Sequence, residues 1–252
     1  MITPEPRKPF SRGLAMKVLA MFASKDPTRT GIEGYCREVK DGFVTYHATD
    51  GCVLFTLRAP FEGEPERKNL LFSGLEKDNA FPNVKPILDD FQAGMIGGYI
   101  QLATWEPLSR IRRKNQHCNN HGCVCPHGLA AELGELDICG FPGQIELHRA
   151  SIIYKAFREL HGKHSLIPTS VIIKFDEGNH PHGFYFETEL GGGATASVCL
   201  LCVHGESKAR TISLDPETLN LLGLMWDEKD AQKRAKREAQ RAAIAETYTM
   251  PL

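Results

Sequence analysis

The chain has 252 residues, of which 42% are hydrophobic and 24% charged, enough to bury the core of one large domain or two ordinary ones. Its 30 basic and 31 acidic residues give a net charge of −1, which excludes a general attraction to nucleic acid or membrane, so any DNA contact must come from a local basic face. No apolar stretch precedes Lys17, and none approaches the ~20 residues of a membrane helix. We therefore predict a soluble, cytoplasmic protein without a secretory signal.

The first part of the chain predicts one helix followed by an antiparallel meander. Residues 1–9 contain three prolines and no periodicity, which indicates a disordered lead-in. From Phe10 onward, apolar residues recur at helical spacing until Asp26-Pro27. Three β-rich runs follow, joined by tight turns at Asp41-Gly42 and Asp50-Gly51.

The later part repeats this order after a less regular middle. Residues 62–115 predict a strand at NLLFSG, a short helix at VKPILDDFQAG and a strand at YIQLATW. A strand at GQIELH then leads into an amphipathic helix over 149–164 and three further strands, SVIIKFDEG, HGFYFETEL and ASVCLLCVHG. Asp215-Pro216 marks another helix start, and 227–246 is a helical run rich in alanine and charge.

The repeated order of helix and strands predicts an α+β chain built from pseudo-repeated units. We expect a first domain over 10–115, a Cys/His-rich insert over 116–128, and a second domain over 129–252 that carries the basic helix 227–246. Signatures of common enzyme classes are absent: there is no G-x-S-x-G elbow, no phosphate-binding loop and no dinucleotide fingerprint. The sequence therefore favours a protein that is not an enzyme.

Two segments resemble the bacterial DNA sliding clamp, the β subunit of the replicative polymerase. The first is FVTYHATDGCVL at 43–54, similar to the family's strand running into an A-T-D-G-H-R-L turn. The second is YTMPL at 248–252, similar to the family's closing Y-V-V-M-P-M-R-L. Phe81-Pro82-Asn83 is a weaker echo of the family's F-P-D-Y segment, and Cys52 and Val53 stand where the family has His and Arg. The resemblance implies a shortened, divergent clamp-like fold.

In the clamp family these two segments line a pocket that captures short peptides of DNA polymerases and repair proteins. The resemblance implies such a partner-binding pocket here, with apolar walls around a rigid turn. Its predicted residues are Thr49, Asp50, Gly51, Cys52, Val53, Leu54, Ile87, Met250, Pro251 and Leu252. An ordinary core hairpin and a frayed tail are the alternative interpretation.

A clamp ring would also hold double-stranded DNA without reading its sequence, because phosphate contacts are electrostatic. The predicted DNA-facing residues lie on the first helix and on helix 149–164, and they are Lys17, Lys25, Arg149, Lys155, Arg158 and Lys163. A solvated charged face remains the alternative. By analogy with two-domain clamps, a six-domain ring predicts a homo-oligomer of three chains.

The segment 117–127 concentrates thiol and imidazole groups in a polar loop. Its candidate metal ligands are Cys118, His121, Cys123, Cys125 and His127. Four nitrogen or sulfur ligands suit a structural zinc, although the spacing matches no standard zinc finger. The alternative is a loop with incidental or redox-sensitive thiols. Elsewhere, Cys36, Cys52, Cys139 and the Cys199–Cys202 pair are expected to be small core residues.

Three functions remain open at this point. The first is a sliding-clamp-like platform that tethers replication or repair partners to DNA. The second is a decoy or adaptor with the clamp fold that binds replication proteins without forming a ring. The third is a zinc-stabilised nucleic-acid-binding protein or metalloenzyme centred on 117–127.

Overall fold

The computed structural model describes residues 11–26, 28–77, 81–93, 96–111, 133–138, 141–162, 166–175, 181–201 and 211–248. The predicted lead-in at 1–9 and the insert at 116–128 lie outside these residues. Helices and mainly antiparallel strands make up the described elements, which confirms the predicted α+β class. None of the helices in the described part is long and apolar enough to cross a membrane.

The first unit of the fold is one helix followed by three strands: α1 (Arg12–Leu19), β1 (Tyr35–Lys40), β2 (Phe43–Thr49) and β3 (Val53–Pro60). Ser11 Oγ accepts a hydrogen bond from the Leu14 amide at 3.2 Å and so caps α1. Asp41 and Gly42 have positive φ angles of 54° and 77°, which suit a two-residue hairpin. The strands pair in order, so the predicted meander is confirmed, whereas the predicted helix ends at Leu19, well before Asp26-Pro27, and Lys25 lies after it.

Six elements follow in the described residues between the two units: β4 (Glu66–Leu70), α2 (Lys85–Gln92), β5 (Ile96–Gln101), a 3₁₀ helix (Leu102–Arg110), β6 (Leu133–Ile138) and β7 (Phe141–Glu146). The predicted strand over 99–105 is wrong beyond Gln101. The side-chain Oε1 of Gln101 accepts hydrogen bonds from the amides of Ala103 and Ile167, at 3.4 and 2.5 Å, and the chain continues from there as the 3₁₀ helix.

The second unit repeats the first: α3 (Leu147–His161), β8 (Pro168–Phe175), β9 (Pro181–Gly191) and β10 (Ala194–Leu201). The helix predicted over 149–164 begins two residues earlier and ends where Gly162 takes a φ of 89°. Gly192 and Gly193, with φ of 61° and 76°, form the β9–β10 turn. The three predicted strands are confirmed.

The last elements are β11 (Thr211–Ser213) and the long helix α4 (Pro216–Tyr248). Asp215 caps the N-terminus of α4, because its Oδ1 accepts a hydrogen bond from the Thr218 amide at 2.8 Å and its Oδ2 accepts one from the Thr218 hydroxyl at 2.6 Å. These hydrogen bonds from Thr218 lower the pKa of Asp215 to about 2, and the bond from the hydroxyl has the larger effect. The predicted helical run 227–246 is thus the outer part of one continuous helix that starts at Pro216.

The two units share one sheet, which has eight strands in the described residues, in the order β4-β1-β2-β3-β10-β9-β8-β5. The last strands of the units, β3 and β10, pair antiparallel from Arg58↔Thr195 to Val53↔Leu200. The sheet is therefore pseudo-symmetric about this joint. The predicted domains 10–115 and 129–252 both contribute to it, and β5 of the first pairs with β8 of the second. A smaller sheet, β11-β6-β7, includes the parallel pair β11–β6.

The main core lies between this sheet and the helices α1, α3 and the 3₁₀ helix. At the joint, Val198 is in register with Phe55 on one side and with Phe186 on the other. Phe22 stacks on Phe55 with ring centroids 4.6 Å apart, and Trp105 meets Phe186 edge-on at 6.0 Å. Buried aromatic side chains of both units therefore hold the joint together.

The other face of the sheet carries a smaller cluster under α2. Neighbouring strand residues point to opposite faces, so Leu54 joins this cluster whereas Val53 belongs to the main core. Phe91 of α2 packs there with Tyr185 and Cys199. Tyr185 donates a hydrogen bond to Glu187 Oε2 at 2.5 Å and accepts one from Gln92 of α2 at 3.0 Å. α2 is therefore fixed by both apolar and polar contacts.

A buried histidine lies on the same outer face. His47 is 5% exposed, and its Nδ1 is 3.0 Å from Thr56 Oγ1. Burial, with a smaller contribution from the charge of Arg67, lowers the pKa of His47 to about 4. The imidazole is therefore neutral at neutral pH.

The described cysteines are free thiols. Cys36 and Cys199 are buried, as predicted, and burial raises the pKa of Cys199 to about 12. The prediction that Cys52 is a core residue is wrong, because Cys52 lies in the turn before β3 and is exposed. Cys139 and Cys202 lie outside the described residues.

Candidate functional site

The Asp50 turn connects β2 to β3 and is built by side-chain hydrogen bonds. Asp50 Oδ1 accepts from the amides of Cys52 and Val53, both at 2.9 Å. The amide of Gly51 donates to Thr49 Oγ1 at 3.0 Å. Gly51 has a φ of 92°, a conformation that other residues rarely adopt. The turn is therefore rigid, as the sequence predicts for the centre of a binding pocket.

Two arginines hold this turn from outside. Arg29 Nη1 donates to the Asp50 carbonyl at 2.8 Å, and a Cβ on Gly51 would lie only 2.8 Å from the same nitrogen. Arg149 Nη1 is 3.2 Å from Asp50 Oδ2, and its Nε is 2.9 Å from Glu146 Oε2. The β2–β3 turn of the first unit is thereby tied to α3 of the second.

Of the predicted pocket walls that the structure describes, Leu54 and Ile87 lie on the α2 side of the sheet, whereas Val53 belongs to the main core. Val53 and Leu54 are each 5% exposed and face opposite sides of the sheet. Ile87 is 43% exposed and lies on α2, over the face that Leu54 shares. Met250, Pro251 and Leu252 lie outside the described residues, so their part in a pocket stays a prediction.

The predicted DNA-facing residues fall on or near the adjacent helices α1 and α3, but most of their cationic groups have partners within the protein. Lys17 Nζ is 2.8 Å from Glu159 Oε2, and Arg158 Nη2 is 3.6 Å from Glu106 Oε1. Lys155 Nζ donates to the Ile111 carbonyl at 3.1 Å, and Arg149 is held by Asp50. Lys25 is exposed, and Lys163 lies outside the described residues. Three of the six predicted cations, Lys17, Arg149 and Arg158, are thus paired with carboxylates of the protein.

A groove of about 690 Å³ opens on the α1 side of the first unit. Its walls combine aromatic and cationic side chains from α1 and the strands β1 to β4, among them Arg12, Tyr35, Arg37, Tyr46, Phe61 and Lys68. Arg37 lies 5.3 Å from the Phe61 ring centroid and forms an ion pair with Glu66. Lys68 Nζ is 3.1 Å from Glu66 Oε2. Glu66 and Glu76 also line the groove, so its aromatic walls suit a peptide that carries apolar side chains.

No local pattern in the sequence indicates this groove. Tyr46 lies within the segment that resembles the clamp family, but Arg37, Phe61 and Lys68 are distributed over three different strands and loops. Only the pairing of β4 beside β1 brings them together. Arg29 was missed for the same reason, since it contacts a turn 21 residues further along the chain.

The candidate zinc ligands, Cys118, His121, Cys123, Cys125 and His127, all lie outside the described residues. Within the described ranges, no group of three or more His, Cys, Asp or Glu side chains is arranged to hold a metal ion. The structural zinc therefore stays a prediction.

Comparison with known proteins identifies the fold. No protein-family model matches the chain, and no curated protein matches it in sequence. Among solved structures, the DNA polymerase III beta subunit of Thermotoga maritima aligns over 81% of this chain and 70% of its own, at 9% identity and a TM-score of 0.51. The Helicobacter pylori beta clamp bound to a DNA ligase peptide aligns over 80% and 69%, at 12% identity and 0.52. The Bacillus subtilis DNA polymerase sliding clamp aligns over 80% and 67%, at 10% identity and 0.52.

The architecture is thus that of a DNA clamp, with helices packed on an antiparallel sheet. More particularly, the chain has the fold of the bacterial sliding clamp, the beta subunit of DNA polymerase III, and the predicted resemblance is confirmed at the level of the fold.

Proposed function

We propose that this protein is a DNA sliding-clamp-like platform that tethers replication or repair proteins to double-stranded DNA. The observation that carries the proposal is the pseudo-symmetric joint. Two helix-and-three-strand units join through β3 and β10, with α1 packed against α3, in a fold shared with bacterial clamps. Such a platform acts by binding and positioning its partners, without a catalytic step of its own.

A ring requires that copies of the chain join, and the sheet offers two places for this. In the described residues, β4 and β5 end the sheet at its opposite sides. The bridge from Leu70 to Glu76 covers the end of β4. Exposed strand edges pair readily with strands of another copy. We expect a closed homo-oligomer, and a trimer if each chain supplies two of six ring domains.

Retention on circular DNA tests the ring. Purified protein is incubated with nicked circular plasmid and with the same plasmid after linearisation, and is then washed at high salt, which removes purely electrostatic binding. Retention on the circle but not on the linear form is expected, because only a ring is topologically linked. Light scattering after gel filtration counts the subunits. A protein that is strictly monomeric and is lost equally from both DNA forms would contradict the proposal.

Partner capture is proposed to use the groove between α1 and the strands β1 to β4. In the H. pylori clamp structure a DNA ligase peptide is bound. The probe here is therefore a fluorescent peptide of that kind. Tyr46→Ala is expected to weaken binding at least tenfold if the groove is the site, since a buried aromatic contact is worth about 2 kcal/mol or more. Ile87→Asp is the matched change in the pocket predicted from sequence, and a larger loss there would assign binding to that pocket.

A second candidate function is an adaptor or decoy that binds replication proteins without forming a ring. The long helix α4 favours it, because this 33-residue element follows the two helix-and-three-strand units in the chain and belongs to neither. A protein that stays monomeric in light scattering yet recovers replication proteins in a pulldown would support this alternative.

A zinc-dependent function centred on 117–127 is tested separately by metal analysis of the purified protein. Stoichiometric zinc whose removal leaves the fold intact but abolishes nucleic-acid binding or a catalytic activity would favour the third function. Zinc whose removal only lowers stability would indicate a structural insert.

A further inference from the structure

Helix α4 has two parts with different surroundings. Near its start, Leu219, Leu222 and Trp226 are buried in the main core, and α4 packs there on the 3₁₀ helix. Arg110 of the 3₁₀ helix forms ion pairs with Asp227 and Asp230. From Asp227 to Gln240 every residue is exposed. At 1.5 Å per residue, this second part extends about 20 Å beyond its last buried anchor.

The exposed part carries a basic stripe, formed by Lys229, Lys233, Lys236 and Arg237. With 3.6 residues per turn, these four positions fall within about 100° of the helix circumference and about 12 Å of its length. Glu228 and Glu238 fall on the other side by the same geometry, whereas Asp230 borders the stripe and forms an ion pair with Arg110. Within the described residues, no ion pair involves any of the four cations.

The cations on α1 and α3 provide the contrast. Lys17, Arg149 and Arg158 each lie beside a carboxylate of the protein. A paired cation must give up its partner, or share it, before it neutralises a phosphate. An unpaired one only releases solution counterions. The basic stripe is therefore better placed for polyanion binding than the helices that the sequence resemblance assigns to DNA.

The composition of the exposed part indicates what kind of partner it fits. Residues 227–240 contain alanine but no larger apolar side chain. A helix that lies on a membrane needs a broad apolar face, and a helix that docks in a protein groove needs apolar anchors. A phosphate backbone needs neither, because the attraction is electrostatic.

We propose that the basic stripe of α4 binds the phosphate backbone of double-stranded DNA. This rests on the proposed function for the choice of polyanion, since a DNA-tethering platform brings duplex DNA to the molecule. The stripe adds a contact outside the α1 and α3 face, and it holds DNA without reading bases.

Salt-dependent binding of the full chain to a short blunt duplex tests the stripe. Binding is followed by fluorescence anisotropy between about 50 and 200 mM salt, and the slope of log K against log salt falls by about 0.9 for each phosphate that the protein no longer neutralises. Lys233→Gln with Arg237→Gln is expected to lower the slope by about 2, and the fourfold glutamine variant by up to about 4. Glutamine keeps the helix propensity, and circular dichroism checks the helix.

The matched control is Lys40→Gln, which removes one exposed cation at the end of β1 and is compared with Lys233→Gln as a single change. An unchanged slope in the control, with a reduced slope in the α4 variant, supports the proposal. Equal effects, or no effect in either, overturn it. Binding to vesicles with anionic lipid but not to duplex also overturns it.

The short duplex separates this proposal from the ring. A ring slides off open ends, so anisotropy reports phosphate contacts alone, whereas plasmid retention reports topology alone. If plasmid retention fails but the α4 variants still lower the salt slope, the ring proposal is contradicted and the stripe proposal is supported. If plasmid retention succeeds but the α4 variants leave the salt slope unchanged, only the stripe proposal is contradicted.

Discussion

The two units of the sheet have the same order of elements but fix their last hairpin and their outer face differently. In the first unit, the Asp50 turn is held by hydrogen bonds and by Arg29 and Arg149. In the second, Gly192 and Gly193 form the turn through backbone conformation alone. On the outer face, His47 of the first unit and Glu187 of the second lie at equivalent positions, on the strands that flank the β3–β10 pair. A pseudo-symmetric fold thus fixes the backbone course but leaves each unit its own polar chemistry.

Breaking the joint gives the largest expected effect. Phe55→Ala and Phe186→Ala each remove a fully buried ring next to Val198 and should lower the free energy of unfolding by about 3–5 kcal/mol. Urea unfolding measures both. If the units were independent domains, each change would broaden or split the transition. One cooperative transition with a similar loss for both variants is expected for a shared core.

The buried His47 should make the first unit sensitive to acid. Its folded pKa of about 4 lies below the ordinary value of 6.5, so the unfolded state binds a proton first. Stability is full above pH 6.5 and falls between pH 6.5 and about 4, by roughly 3 kcal/mol in total. Urea unfolding of the wild type and of His47→Asn, compared across this window, isolates the effect. Parallel pH profiles for the two proteins would refute it.

The two turns allow a direct comparison of side-chain and backbone control. Asp50→Ala removes two hydrogen bonds to amides and the ion pair with Arg149, and should cost about 1–2 kcal/mol. Gly192→Ala meets no neighbour within 4 Å but retains a φ of 61°, so it should cost about 1 kcal/mol through strain alone. Thermal unfolding measures both. A double mutant of Asp50 and Arg149 should be less than additive, and strict additivity would contradict the coupling.

The smallest effect is expected where α1 and α3 touch at the surface. Lys17 and Glu159 form an ion pair whose side chains are 57% and 40% exposed. Lys17→Gln should therefore change the free energy of unfolding by less than about 1 kcal/mol, and less still at high salt. Glu159→Gln is the matched partner change. A loss above about 2 kcal/mol in either would mean that this pair contributes more to the joint than an exposed ion pair can.

The elements that could be predicted from the sequence are those with local signals. Turn residues such as Asp41-Gly42 and the glycines before Ala194 placed the hairpins, and helical spacing placed α1 and α3. The pairing of β3 with β10 could not be predicted, because it joins strands that are far apart in the chain and leaves no local pattern. The same holds for the groove, whose walls depend on β4 lying beside β1.

The candidate site was predicted only in part, for a related reason. The rigidity of the Asp50 turn follows from its own sequence, but the burial of Val53 and Leu54 depends on which elements cover the two faces of the sheet. Charge on α1 and α3 was likewise visible in the sequence. Its neutralisation by Glu106 and Glu159 was not, because an ion pair depends on packing.

The two outer edges of the sheet have a further consequence for the ring proposed above. A contact between β4 of one copy and β5 of the next is head-to-tail, so nothing in the contact itself limits the number of copies. Growth stops only if the rotation per copy divides a full turn, and otherwise an open filament forms. For the proposed assembly, the curvature that strand twist gives the sheet therefore decides between a particle of one size and a polymer whose length rises with concentration.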